Sequence, residues 1–127
     1  MTEAQLLGIC IALSVLVQFV AMFAVGRARA KTKINAPAVT GDPLLERAVR
    51  AQANTVEQAL IFYPAIWLCA TNFSLLVAGI LGLLWVAARF WYVFAYIHSS
   101  GARSMPFLFG LLATFLLFAL GSYGMFA

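Results

Sequence analysis

Three stretches of this chain, Leu6–Val25, Leu75–Ile97 and Ser104–Ala127, run for twenty residues or more and carry a single charge between them, Arg89. At ~1.5 Å of helical rise per residue, each is long enough to cross a hydrocarbon core of ~30 Å. Hydrophobic residues make up 65% of the chain and charged residues 9%, far from the balance of a soluble domain. A fourth span, residues 44–70, must take in polar residues to reach the same length. With the others at 5–26, 74–97 and 104–126, it leaves no room for a separate soluble domain. The expectation is one integral membrane domain over residues 1–127, an all-α bundle of four transmembrane helices.

The fourth stretch is the unusual one. Arg47, Arg50, Gln52, Asn54 and Glu57 crowd the start of an otherwise apolar run, Ala59–Ala70. Charged and amide groups cost several kcal/mol each in hydrocarbon unless partnered or wetted, and they commonly mark a ligand site. Arg50, Asn54 and Glu57 recur at i, i+4 and i+7, which is one helical face. A cation, an amide and a carboxylate in a column suit a small zwitterionic ligand. The plainer alternative is a self-satisfied stripe in which Arg50 and Glu57 neutralise each other.

The third span holds a second polar set. Arg89, Tyr92 and Tyr96 are spaced by three and four residues, again one face. Arg103 either extends that stripe or, if Ser99-Ser100-Gly101 ends the helix, opens the fourth span. Arg89 lies about 12 Å inside the span by helical rise. A charge at that depth needs a partner, and Glu57 is the acidic residue expected to supply it. Trp91 fits an interfacial aromatic belt. The two tyrosines, in register with arginines, fit a polar cavity.

Basic residues report orientation. Arg27, Arg29, Lys31 and Lys33 lie between the first two spans and Arg103 between the last two, whereas Thr71–Ser74 has none. The positive-inside rule places both basic loops in the cytoplasm and both termini opposite. The net charge of +4 is therefore a topology signal with some affinity for anionic membrane lipid. No aromatic-interleaved basic patch points to nucleic acid.

Other chemistries find little footing. The first span lacks a basic n-region and exceeds a usual signal-peptide core, so it is expected to be kept. Cys10 and Cys69 fall within spans without a motif and read as packing residues. His98 is the sole histidine, so no metal site is expected. No phosphate loop, Ser/His/Asp set or Cys/His pair can be assembled. In the loop Ala30–Pro43, Thr40-Gly41-Asp42-Pro43 reads as a turn leading into a helix start. Pro64 removes a backbone bond inside the second span and is expected to kink it near Leu60.

Two separated motifs resemble those of the membrane-associated proteins in eicosanoid and glutathione metabolism, the MAPEG family. The first is Glu46-Arg47-x-x-Arg50-Ala51-Gln52-x-Asn54-x-x-Glu57, similar to the family's second-helix signature. The second is Arg89-x-x-Tyr92-x-x-x-Tyr96-x6-Arg103, similar to the end of its third helix in leukotriene C synthases and microsomal glutathione transferases. The loop Pro37-x-x-Thr40-Gly41-x-Pro43 is also similar. The resemblance spans the chain.

It implies a homotrimer that binds glutathione as co-substrate between subunits, near the cytoplasmic side. Arg50, Asn54 and Glu57 match residues holding glutathione's polar groups, with Gln52 nearby and Arg29 reaching in from the first helix. Tyr92 and Tyr96 would line the same site, and Arg89 belongs to the same motif. Arg103 matches the arginine that holds the thiol as thiolate. The chain departs from the leukotriene synthases at Ala30 and Gln58, where they have an arginine and a tyrosine. Arg103-Ser104 is similar instead to the prostaglandin E synthase arrangement, whose serine helps the thiol. The implied activity is attack of a glutathione thiolate on a lipophilic electrophile or a lipid-derived hydroperoxide, a transferase or peroxidase of the detoxification type.

Two other classes remain in view. Small multidrug transporters also use four helices, but they place a membrane carboxylate in the first helix, which here has none. A non-catalytic membrane scaffold would not need Arg103.

Overall fold

The computed structural model describes all 127 residues. Four helices, α1 (Glu3–Thr32), α2 (Pro43–Asn72), α3 (Leu75–His98) and α4 (Ser104–Phe126), form an antiparallel bundle. A short 3-10 turn, Ser100–Arg103, links the last two. α2 and α3 pack against each other and against both outer helices, while α1 and α4 lie on opposite sides.

Helix starts follow local chemistry. Thr2 and Gln5 form a reciprocal capping box on α1. Asp42 accepts from Leu44 N at 2.8 Å with Pro43 in the first turn of α2, as the Thr40–Pro43 turn foretells. Ser74 caps α3 through Val77 N. α1 stops at Lys33, which takes left-handed geometry at φ 59° and donates its backbone N–H to Arg29 O. Each helix begins within a few residues of the corresponding apolar stretch, and α1 continues past it through Arg27, Arg29 and Lys31. α2 stays helical through Pro64.

The bundle is held by a thin core. Trp85 stacks on Phe62 with ring centroids 3.9 Å apart, and Val17, Leu117, Val93 and Cys69 close around them. Small residues let the backbones approach, as membrane bundles require. A methyl group at Gly82 would run into Cys10 Sγ and lie 2.7 Å from Ile66 Cδ1. One at Gly121 would lie 2.6 Å from the backbone of Leu68 and Cys69.

The outer surface is apolar. Phe19, Phe23, Leu60, Trp67 and Phe115 are each at least 60% exposed. Water does not tolerate so large an apolar surface on a lone chain, and lipid does. α1, α3 and the segment Ser100–Phe126 are long and apolar enough to cross a membrane. α2 is as long as α1, but its first half carries Glu46, Arg47, Arg50 and Glu57. The chain is an integral, multi-pass, all-α membrane protein. α2 is the helix that brings polar groups into it.

Candidate functional site

The ends of α2, α3 and α4 meet at the basic end of the bundle. Antiparallel packing brings the start of α2 beside the end of α3, and one contact fixes their register. Arg47 Nε donates to Ile97 O at 2.9 Å, satisfying a carbonyl that the end of α3 leaves open.

Beyond that clamp runs a column of four side chains. Arg89 lies over the Tyr92 ring, 3.9 Å from its centroid. Tyr92 meets Tyr96 edge-on at 5.6 Å, and the guanidinium of Arg103 lies 5.2 Å from the Tyr96 centroid. Cations over aromatic faces are attracted by the ring quadrupole, more strongly away from water. α3 ends at His98, so Arg103 does not continue the helix. The 3-10 turn instead folds it back onto the stripe. Arg103 and Ser104 are both exposed, and Ser104 opens α4 without a side-chain cap bond.

Arg89 is 1% exposed and its partners are neutral. Nη2 donates to Asn54 Oδ1 at 3.0 Å and, less closely, to Thr55 Oγ1 at 3.4 Å. This corrects the expected pairing with Glu57. An amide oxygen, a hydroxyl and an aromatic face replace the carboxylate. They answer the donors without the second desolvation that a buried carboxylate brings. Because a guanidinium only donates, the Asn54 oxygen must face it, and this leaves Asn54 Nδ2 as a free donor. Thr55 is itself buried and donates to Ala51 O at 2.7 Å. Trp85 Nε1 and Arg89 Nε are buried donors without a protein acceptor.

Glu57 pairs instead with Arg50 on its own helix. Nη1 and Oε1 are 3.9 Å apart, with both side chains more than half exposed at 58% and 55%. Asn54 stands between them in sequence on the same face, so the three-residue face is present with an open charged pair flanking a fixed amide. Such a pair is weak in its own right and is easily exchanged for contacts to a charged ligand.

Two other residues, Gln52 and Arg29, stand apart from the column. Gln52 is two positions from both Arg50 and Asn54, about 200° around the helix from each. One α2 cannot aim all of them at one point. Arg29 is engaged by its own loop, donating from Nη1 to Ala38 O at 2.7 Å and Ile34 O at 3.3 Å. Tyr92 is 1% exposed within the chain, whereas Tyr96 is half-buried. Sequence reasoning missed Thr55 as an Arg89 partner and Arg47 as the α2–α3 clamp. The signal for Thr55 was present: one residue beyond Asn54, it faces the core stripe that includes Ala51, Ala59 and Phe62.

The sequence profile of the MAPEG family matches residues 7–123. Microsomal glutathione S-transferase 2 of Homo sapiens is 39% identical over 100 residues, 79% of this chain and 68% of the human protein. Leukotriene C4 synthase of Cavia porcellus is 33% identical over 125 residues, covering 98% of this chain and 83% of that protein. An uncharacterised protein of Synechocystis sp. is 37% identical over 119 residues, 92% of this chain and 87% of its own length. A profile match over nearly the whole chain, on a four-helix membrane bundle with its polar residues gathered at one end, makes this protein a member of the MAPEG family.

Proposed function

We propose that the chain is a glutathione-dependent membrane enzyme that presents the tripeptide's thiolate to a lipophilic electrophile or hydroperoxide. The observation that carries this reading is the run of side chains from the free amide of Asn54, through Arg89, Tyr92 and Tyr96, to the exposed guanidinium of Arg103. Glutathione bears carboxylates at both ends, an ammonium group and a thiol. Arg50 and Asn54 Nδ2 suit a carboxylate, and Glu57 suits the ammonium. Arg103, at the far end of the column, suits the sulfur. The similarity to human microsomal glutathione S-transferase 2, a protein named for glutathione, supports the choice of ligand.

The chemistry needs little else. A free thiol has a pKa of about 8.5, so only a few per cent is thiolate at neutral pH. A fixed cation beside the sulfur favours the ionised form, and arginine keeps its proton throughout the working range. The thiol proton leaves to water. The sulfur then attacks the electrophilic carbon, the S–C bond forms and the leaving group departs with its electron pair. With a hydroperoxide, sulfur attacks oxygen and the O–O bond breaks, releasing the alcohol. A second glutathione then gives the disulfide and water. Ser104, beside Arg103, is positioned in sequence to donate a hydrogen bond to the same sulfur.

The reading extends to assembly. Gln52 and Arg29 do not reach the column of their own chain, as expected if they serve a neighbour's site in a homotrimer. Within such a trimer the tripeptide lies between subunits and the lipophilic partner enters from the bilayer. The basic end of the bundle is taken as cytoplasmic. Lys33→Cys labelled by an impermeant thiol reagent only from the cytoplasmic side supports that orientation, and labelling only from the other side reverses it.

The direct experiment is calorimetric titration of glutathione into the detergent-purified protein, followed by a conjugation assay with an aryl halide. Saturable binding with glutathione-dependent halide release supports the proposal. Binding without turnover on aryl halides or lipid hydroperoxides favours a non-catalytic membrane scaffold.

A further inference from the structure

A groove of about 600 Å³ opens between α1 and α3 where α2 begins. It shares no residue with the column from Asn54 to Arg103. On α1 its wall runs Val20, Ala24, Arg27, Lys31, spaced by four, three and four, so one helix face changes from apolar to basic along its length. α3 does the same over a shorter distance, from Phe94 through Ile97 to His98. Both changes occur at the same end of the bundle, where Arg47 closes the mouth. From Val20 to Lys31 the wall extends about 16 Å by helical rise.

The cations here are uncompensated. No acidic side chain lines the groove, and the chain's one ion pair, Arg50–Glu57, involves none of them. Arg47 is held by Nε on Ile97 O, which leaves both Nη groups free. His98 Nδ1 lies 2.7 Å from Phe94 O, and because a carbonyl only accepts, Nδ1 carries the proton and Nε2 is uncommitted. Below this rim, Phe23 is 73% exposed and Phe94 53% exposed.

We propose that the groove holds one anionic phospholipid, its phosphate among Arg27, Lys31 and Arg47 and an acyl chain along Val20, Phe23, Ala24 and Phe94. The charge pattern selects this occupant. A zwitterionic headgroup would bring an ammonium group to a rim that has only cations to meet it. A soluble anion would leave the exposed aromatic wall uncovered.

The test is native mass spectrometry of the detergent-purified protein, titrated with phosphatidylglycerol or phosphatidylcholine of matched chains. The wild type retains one phosphatidylglycerol in preference to phosphatidylcholine. Arg27→Gln and Lys31→Gln each lower that retention roughly fivefold, the scale of one basic residue at an anionic membrane surface, and leave phosphatidylcholine unchanged. Lys33→Gln, an equal charge loss outside the groove, has no effect. These three side chains make no hydrogen bond, so the fold does not depend on them. Phe23→Ala weakens retention of both lipids. Equal retention of the two lipids by the wild type, or equal loss in Lys33→Gln and Arg27→Gln, overturns the proposal. So does displacement of the lipid by millimolar inorganic phosphate, which would make the groove a simple anion site.

Discussion

Arg89 on α3 donates to Asn54 on α2 at 3.0 Å, and through this bond a buried arginine without a carboxylate partner sets the orientation of an amide at the proposed ligand site. Two functions are joined in it. The bond ties α2 to α3, and by holding the amide oxygen it leaves Asn54 Nδ2 free to donate.

Substitutions at Asn54 separate the two. Asn54→Ala leaves Arg89 with only the longer bond to Thr55 and should cost about 1–3 kcal/mol of stability, with glutathione affinity lost as well. Asn54→Asp keeps an oxygen acceptor on the guanidinium, the charge attraction offsetting the desolvation of the carboxylate, and should leave the melting temperature close to wild type. It nevertheless abolishes binding, because an acceptor now faces the ligand's carboxylate. Thermal unfolding in detergent beside calorimetric titration reads both quantities. Parallel changes in stability and affinity across the two variants would contradict the division of roles.

Glu57 makes the opposite case. Its only ionic contact is the open pair with Arg50, 3.9 Å long. Glu57→Gln should therefore change unfolding stability by no more than about 0.5 kcal/mol. The loss of charge should still lower glutathione affinity at least tenfold, since the ligand's ammonium then meets a neutral amide. Retained affinity in Glu57→Gln would assign the ammonium to another residue.

Gly121 is the packing counterpart. A methyl group there would lie 2.6 Å from the backbone of Leu68 and Cys69, which is atoms that cannot rotate away. Gly121→Ala should destabilise by about 1–3 kcal/mol, as overpacking does. Gly26→Ala, where a methyl group meets nothing within 4 Å, should not destabilise. Melting temperatures of the pair check the α2–α4 approach.

The bundle was legible because lipid imposes length and apolarity on every span, and the runs from Leu6, Leu75 and Ser104 declare both. The column was legible in part. The three- and four-residue spacing of Arg89, Tyr92 and Tyr96 places them on one face, and the structure stacks them there. The partner of Arg89 was not legible. Charge-matching pointed to Glu57, whereas an arginine away from water is also satisfied by a neutral amide, a hydroxyl and a ring. The return of Arg103 onto Tyr96 depends on a 3-10 turn that Ser99-Ser100-Gly101 only hints at. The clamp from Arg47 to Ile97 joins residues fifty apart and leaves no periodic trace.

The proposed activation of glutathione's sulfur by Arg103 is read directly by thiolate absorbance near the ultraviolet edge. Glutathione bound to the wild type should be largely thiolate at pH 7, with its titration shifted well below the free thiol's value of about 8.5. Arg103→Leu should still bind the tripeptide through Arg50, Asn54 and Glu57, yet titrate like free glutathione and recover its rate only as pH rises towards 9. Ser104→Ala should shift the curve less, as a lost hydrogen bond rather than a lost charge. Superimposable titrations for wild type and Arg103→Leu, with glutathione bound in both, would contradict the account.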